Sequence, residues 1–273
     1  VGFFATSGVL NERGFFGEGF DPDALDYINR VETADGERLE PRVRTAINQF
    51  VLGCKADGIW TSLVTSCIMA GARTVAGAIT PLVGNAPTNN NFVSGDYSRT
   101  LGLLGNDSNK YLATGYNNND TTNFPQNNCH ISCYVSASNT DNNAGTFVGT
   151  TNALGSLMYI GYAAINTTNF KVRTTANSRT TSLTALGFQA ISRDSSNTFI
   201  SRQTSSGGAI SDATGTTVSA SPTSQLYGVF ASGTGTNPTN ARMSFYSIGK
   251  SLSISNLDTR VTTLINAIAS ALA

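Results

Sequence analysis

The sequence predicts a mainly β protein, a two-sheet antiparallel jelly-roll sandwich preceded by a short α-helical segment and followed by a C-terminal helix. Three observations carry this expectation. Short runs rich in Val, Ile, Phe, Tyr and Thr recur at 101–104, 111–114, 130–136, 146–150, 156–162, 170–174, 186–191, 198–203, 225–232 and 242–248. Clusters of Asn, Gly, Ser and Thr separate them, as turns separate the strands of a sandwich. Strand and helix patterns do not alternate, so no parallel βαβ sheet competes.

Residues 1–20 come first, with Phe3, Phe4, Phe15, Phe16 and Phe20 set among glycines and no helical or strand period. Aromatic rings favour burial while glycines oppose a rigid element, so this stretch is expected to be a docking arm that orders against a neighbouring subunit. The plainer alternative is a tail packed on its own domain.

Helical signals fill 21–73. Asp21 is placed to cap a helix that Pro22 opens, with Leu25, Ile28 and Val31 as its stripe and Asp35-Gly36 as its end. A second helix is expected from about Glu40 to Lys55, and a third from about Ile59 to Ala70 around Trp60, Leu63, Val64, Cys67 and Ile68. The sandwich is assigned to 74–255, with 84–91 read as loop. Asn256 then opens an amphipathic helix over 256–273, in which Leu257, Val261, Leu264, Ile265, Ile268 and Leu272 share one face.

Charge and cysteine usage narrow the function classes. Charged residues are only 12%, and the formal net charge is zero, so the surface is polar through amides and hydroxyls. Residues 1–72 hold ten acids against six bases and the rest seven against eleven, with no Lys/Arg cluster. Nucleic acid is not an expected partner. No apolar stretch reaches the roughly 18 residues of a membrane span. Val1-Gly2-Phe3-Phe4 lacks the regions of a signal peptide, so an initiator Met or a longer leader is expected to have been removed. Cys129 and Cys133 lie four residues apart on one expected strand, about 13 Å against the roughly 7 Å a disulfide allows. Buried free thiols in all four cases are the expectation, which fits assembly in a reducing cytoplasm; the alternative is a long-range bridge or bridges between the helical part and the sandwich.

Two stretches carry a family resemblance. Gly102-Leu103-Leu104-Gly105-Asn106-Asp107-Ser108-Asn109-Lys110-Tyr111-Leu112-Ala113-Thr114-Gly115 resembles the concanavalin A-like, laminin-G-like jelly roll found in many tailed-phage virion proteins. Arg242-Met243-Ser244-Phe245-Tyr246-Ser247-Ile248-Gly249-Lys250-Ser251-Leu252 and the helix behind it are similar to that family's final strand and trailing helix. The segment from Ala24 to Trp60 resembles the helical preface often placed ahead of such jelly rolls in phage structural proteins. The resemblance implies fold more narrowly than role, because decorations, fibres and receptor binders share it.

Chemistry is sparse. Glu40 is the last glutamate, whereas glycosidases need two carboxylates about 5 to 10 Å apart. The aspartates after residue 72 stand singly beside turn residues, no catalytic residue is expected, and the one histidine, His130, has no Gly-x-Ser-x-Gly elbow beside it. No metal-ligand cluster is expected, a weak Ca²⁺ site at Asn106-Asp107 or Asn117-Asn118-Asn119-Asp120 being the only opening for a cofactor. Tyr116, Asn117, Asn118, Asn119 and Asp120 combine an aromatic platform with amides, as shallow glycan sites do, against the plainer reading of Asx turns in a long loop.

The expected function is a non-enzymatic virion structural protein, a head decoration or short appendage. It would be assembled in the host cytoplasm, docked through its arm to other virion proteins and homo-oligomeric. The alternative is a glycan-binding, lectin-like receptor-binding or tail-fibre protein that recognises a host-surface glycan.

Overall fold

The computed structural model describes residues 19–139, 144–150, 157–164, 167–205 and 208–273. Phe3, Phe4, Phe15 and Phe16 of the expected arm, and Asp141, lie outside the described residues.

Asp21 caps the first helix, Pro22–Asp35 (α1), its carboxylate accepting from Asp23 N, and Gly36 closes it in the left-handed conformation. That region suits glycine because it has no Cβ to clash. Pro41–Ala56 (α2) follows, with proline again in the first turn. The short Val75–Ala78 (α3) and the long C-terminal Ile254–Leu272 (α4) complete the α-helices among the described residues. Ser253, rather than Asn256, caps α4, since its hydroxyl accepts from Asn256 N.

The strands run in chain order as Leu63–Ile68 (β1), Pro81–Val83 (β2), Thr88–Asn90 (β3), Tyr97–Ser98 (β4), Gly102–Leu104 (β5), Tyr111–Asn117 (β6), Cys129–Ala137 (β7) and Gly145–Gly149 (β8). Leu157–Ala164 (β9), Thr167–Thr174 (β10), Arg179–Thr181 (β11), Ala185–Arg193 (β12), Thr198–Ser205 (β13), Ile210–Thr216 (β14), Leu226–Val229 (β15) and Arg242–Gly249 (β16) follow. They form two antiparallel sheets. The larger is ordered β14-β13-β12-β7-β16-β1-β2, with β5 on β16 and β4 on β5; the smaller is β11-β10-β9-β8-β15-β6-β3. The fold is thus the mainly β, two-sheet sandwich that the turn spacing predicts, and each of the ten expected runs holds a strand.

The third expected helix is a correction. Beyond a single 3-10 turn at Trp60–Ser62, residues Leu63–Ile68 form a strand between β16 and β2. Leu63, Val64, Cys67 and Ile68 have helical spacing, but the same spacing arises in a strand buried on both faces, where apolar residues need not alternate. Here Leu63 and Ile68 face the helices while Cys67 faces the second sheet. The stretch read as loop at 84–91 also contributes β3, which pairs with β6.

Three layers result. Cys129, Ile131, Cys133 and Val135 of β7 enter the core between the sheets, as their alternation requires. On the other face, Phe188, Ala190 and Phe245 join the side chains of α1, α2 and α4 in a second core. The Phe50 and Phe245 rings meet edge to face, with centroids 6.0 Å apart. All four cysteines are buried free thiols, and burial pushes the Cys67 thiol up to about 12.

Ion pairs tie the helical layer to the sheet. Glu40 accepts a bidentate pair from Arg99, just after β4, and Asp258 of α4 binds Arg202 of β13, while Asp57 at the end of α2 accepts a bidentate pair from Arg260 and joins α2 to α4 within the helical layer. Asp35 accepts from the backbone of Arg73 and Thr74, fixing the turn into α3.

Replacing Phe245 by Ala should remove the contact between layers and cost about 3–5 kcal/mol. Urea denaturation checks this: the midpoint should fall with the slope unchanged.

Candidate binding surface at the amide-rich loops

The loop after β6 was the sequence's best opening for recognition, and its polar groups turn out to be largely committed within the chain. Asn117 accepts from Asn119 N and Gln225 N and donates to Ser224 Oγ at 3.1 Å. Asp120 accepts from Thr122 N, Asn123 N and Asn123 Nδ2, and these bonds, the Asn123 side chain first, hold its carboxyl below the usual range. This is Asx-turn geometry. Tyr116 stands edge-on to Phe124 at 5.7 Å, and its hydroxyl accepts from Asn85 N. Asn119 is exposed, whereas Asn118 is fully buried.

Asn118 belongs to the interior. Its Oδ1 accepts from Arg173 Nη1 at 2.5 Å and from the Tyr227 hydroxyl at 2.7 Å, and its Nδ2 donates to Thr223 O. Arg173, itself wholly buried, also donates to Asn118 O and Phe124 O, so one guanidinium holds both ends of the 118–124 loop. Its φ of 56° is left-handed, an uncommon conformation for a residue with a Cβ. Arg193 is the second buried guanidinium. It donates to Val172 O, Ser195 O and Ser196 O, and burial lowers its pKa.

Among the described residues neither arginine pairs with a carboxylate. Carbonyl oxygens carry the load, each charged bond contributing about 1.5–3 kcal/mol against a desolvation cost of several kcal/mol. Composition gave no signal for these two clamps, because their acceptors are mostly backbone. Asn118 lies 55 residues from Arg173 in the chain.

His130 is enclosed between the larger sheet and the helical layer. Its Nδ1 donates to Lys250 O, which leaves Nε2 to accept from Ser247 Oγ at 2.9 Å; Ser132 Oγ then donates to Ser247 Oγ at 2.8 Å. The chain resembles a nucleophile and base, but a carbonyl stands where a triad has its carboxylate. All three side chains are fully buried, so no substrate carbonyl reaches Ser247. Burial lowers the His130 pKa to about 4, keeping the ring neutral.

Among the described residues no group of three His, Cys, Asp or Glu side chains could hold a metal, and no helix is long and apolar enough to cross a membrane. Asp107 adopts φ 52° in its turn, and Asn106 Oδ1 is occupied by the backbone of Ser108, Asn109 and Lys110.

No family model and no curated protein matches the chain. Among solved structures, a GH54 α-L-arabinofuranosidase variant soaked with 4-nitrophenyl α-L-arabinofuranoside is similar, with a TM-score of 0.43 and 11% identity over 61% of this chain and 41% of that one. The Bacteroides ovatus xyloglucan PUL GH43B is similar at a TM-score of 0.29 and 12% identity, over 52% of this chain and 29% of that one. The chain therefore spans about two fifths of the first and under a third of the second. Both are glycoside hydrolases, which corrects the expectation of a protein that is not an enzyme. Lacking glutamate after Glu40 is a fact of composition and does not exclude enzymatic activity. At this degree of likeness neither structure lends its activity or catalytic residues to this chain.

Two outcomes test the geometry. Arg173→Met should remove the guanidinium's bonds to Asn118 O, Asn118 Oδ1 and Phe124 O, with Tyr227 still donating to Asn118 Oδ1, and destabilise the protein by about 3–5 kcal/mol, read by urea denaturation. For His130 the unfolded chain binds the proton more tightly, so stability is full above the unfolded value of 6.5 and declines as pH falls towards about 4. The wild-type protein should lose about 3 kcal/mol more than His130→Gln across that window, measured by denaturation at stepped pH.

Proposed function

We propose that this chain is a structural protein of a tailed-phage virion, a head decoration or short appendage. It docks to its neighbours through the N-terminal arm and presents the concanavalin A-like, laminin-G-like body to solvent. The observation that carries the reading is where the arm enters the body. Phe20 lies against the helical core with the Arg44 guanidinium 5.5 Å from its ring centre, and Asp21 N donates to Asn48 of α2. The arm therefore starts from the helical layer, opposite the face that the larger sheet turns towards the second sheet.

Further support comes from the same layer. A groove of about 550 Å³ between α2 and α4, lined by Ala46, Phe50, Leu264 and Ala267 with Arg42 and Arg260, offers apolar surface on the arm's side. The family resemblance of the helical preface and of the 102–115 stretch points to the same setting. A body with few charges and many amides suits standing contact in a lattice. The glycan-binding alternative retains less, because Asn117, Asn118 and Asp120 are engaged in the protein's own bonds.

Deleting residues 1–18 should leave a body with an unchanged melting temperature that no longer co-sediments with particles. Incorporation at the wild-type level would contradict the proposal.

A further inference from the structure

Strand β14 ends the larger sheet, and among the described residues one of its edges faces no other strand. Its register with β13 runs without a bulge from Thr204 opposite Ile210 to Thr198 opposite Thr216. The bonds from Ser205 N to Ala209 O, and from Thr217 N to Asn197 O, set the phase of that ladder. Hydrogen-bonded pairs alternate along an antiparallel pair, so Ser211, Ala213 and Gly215 turn their backbone groups to β13. Those of Ile210, Asp212, Thr214 and Thr216 point outward, and no backbone bond from another described residue meets them.

An open edge of this length is normally blunted by lysine, proline or a bulge. Residues 210–216 contain none of these. Their one charge is Asp212, which Arg202 of β13 binds through two bonds at 2.8 and 2.6 Å while also reaching Asp258 of α4. The charge that would repel a second strand is thus cancelled inside one copy. Beside the edge, Ile200 and Ile210 are 45% and 57% exposed. Both lie on the face of the sheet that carries Arg202, since directly opposed residues share a face.

We infer that β14 pairs antiparallel with β14 of a second copy across a two-fold axis at Ala213, joining the two larger sheets into one. An edge of this kind is self-complementary, as a two-fold contact requires. In this register Asp212 faces Thr214 of the other copy and Ile210 faces Thr216, so all four outward residues exchange bonds, about eight in all. Centring the axis on Asp212 would instead set two carboxylates face to face. The contact uses no residue of the arm, so its failure and the failure of the proposed docking are separate results.

Sedimentation equilibrium of the full chain at on the order of 100 μM tests it, a concentration suited to a contact of small area. Three forms are compared. The wild type should approach twice the chain mass. Thr214→Pro removes an outward N–H and no bond to β13, so it should keep the unfolding midpoint and weaken association at least tenfold. Oxidised Ala213→Cys should give a covalent dimer on a non-reducing gel, because residues facing across such an axis lie about 4.5 Å apart at Cα. The native cysteines are buried and add little background.

A wild-type protein that stays monomeric overturns the inference. A Thr214→Pro protein that dimerises like the wild type overturns it as well, as does a dimeric Ala213→Cys protein that does not cross-link. Should Thr214→Pro fail to fold, the cysteine result decides alone.

Discussion

The larger sheet is apolar on both faces, and the rest of the structure follows from having to cover it twice. Between the sheets lie Cys133, Ile131, Tyr246 and Ile248; on the opposite face Phe188, Ala190 and Phe245 would meet water in a two-layer sandwich. Exposing that face would forfeit about 25 cal/mol for each Å² of apolar surface. Helices from the two ends of the described chain supply the cover, α1 and α2 from one side and α4 from the other. The carboxylates concentrated near the N-terminus have their use here, because Glu40 anchors Arg99 across the layers and Asp57 anchors Arg260, joining α2 to α4.

This double burial also explains which elements were legible in the sequence. Strands such as Cys129–Ala137, whose residues alternate between a thiol-and-aliphatic face and a hydroxyl-bearing one, announce themselves. Leu63–Ile68 does not, because a strand covered on both sides loses its alternation and imitates a helix stripe. Ile210–Thr216 was silent for the opposite reason: at the edge it buries little, and Ser, Asp, Thr and Gly there read as turn. Thr88–Asn90 is hidden inside an asparagine run whose backbone pairs even though its composition signals loop.

The candidate surface shows the same limit at the level of single residues. Tyr116, Asn117 and Asp120 sit in the turn that their composition forecasts, but the burial of Asn118 depends on Arg173 and on Tyr227, which is 109 residues away. No local pattern encodes a guanidinium satisfied by distant carbonyls. The two arginines set the loops at one end of the sandwich, and the His130–Ser247–Ser132 chain satisfies hydroxyls enclosed under the helices. Polar groups among the described residues serve mainly to close the fold.

If the larger sheet is shared by both cores, the helical layer and the sandwich must unfold together. Trp60 is the only tryptophan, packed on the helical core with Lys55 Nζ 5.8 Å from its ring centre, so its fluorescence reports that layer alone. Urea unfolding followed by Trp60 fluorescence and by the β signal in far-ultraviolet circular dichroism is therefore the most direct measurement. Superimposable transitions with one midpoint are the expected result; a helical layer that melts at lower urea and leaves the sheet signal intact would contradict it.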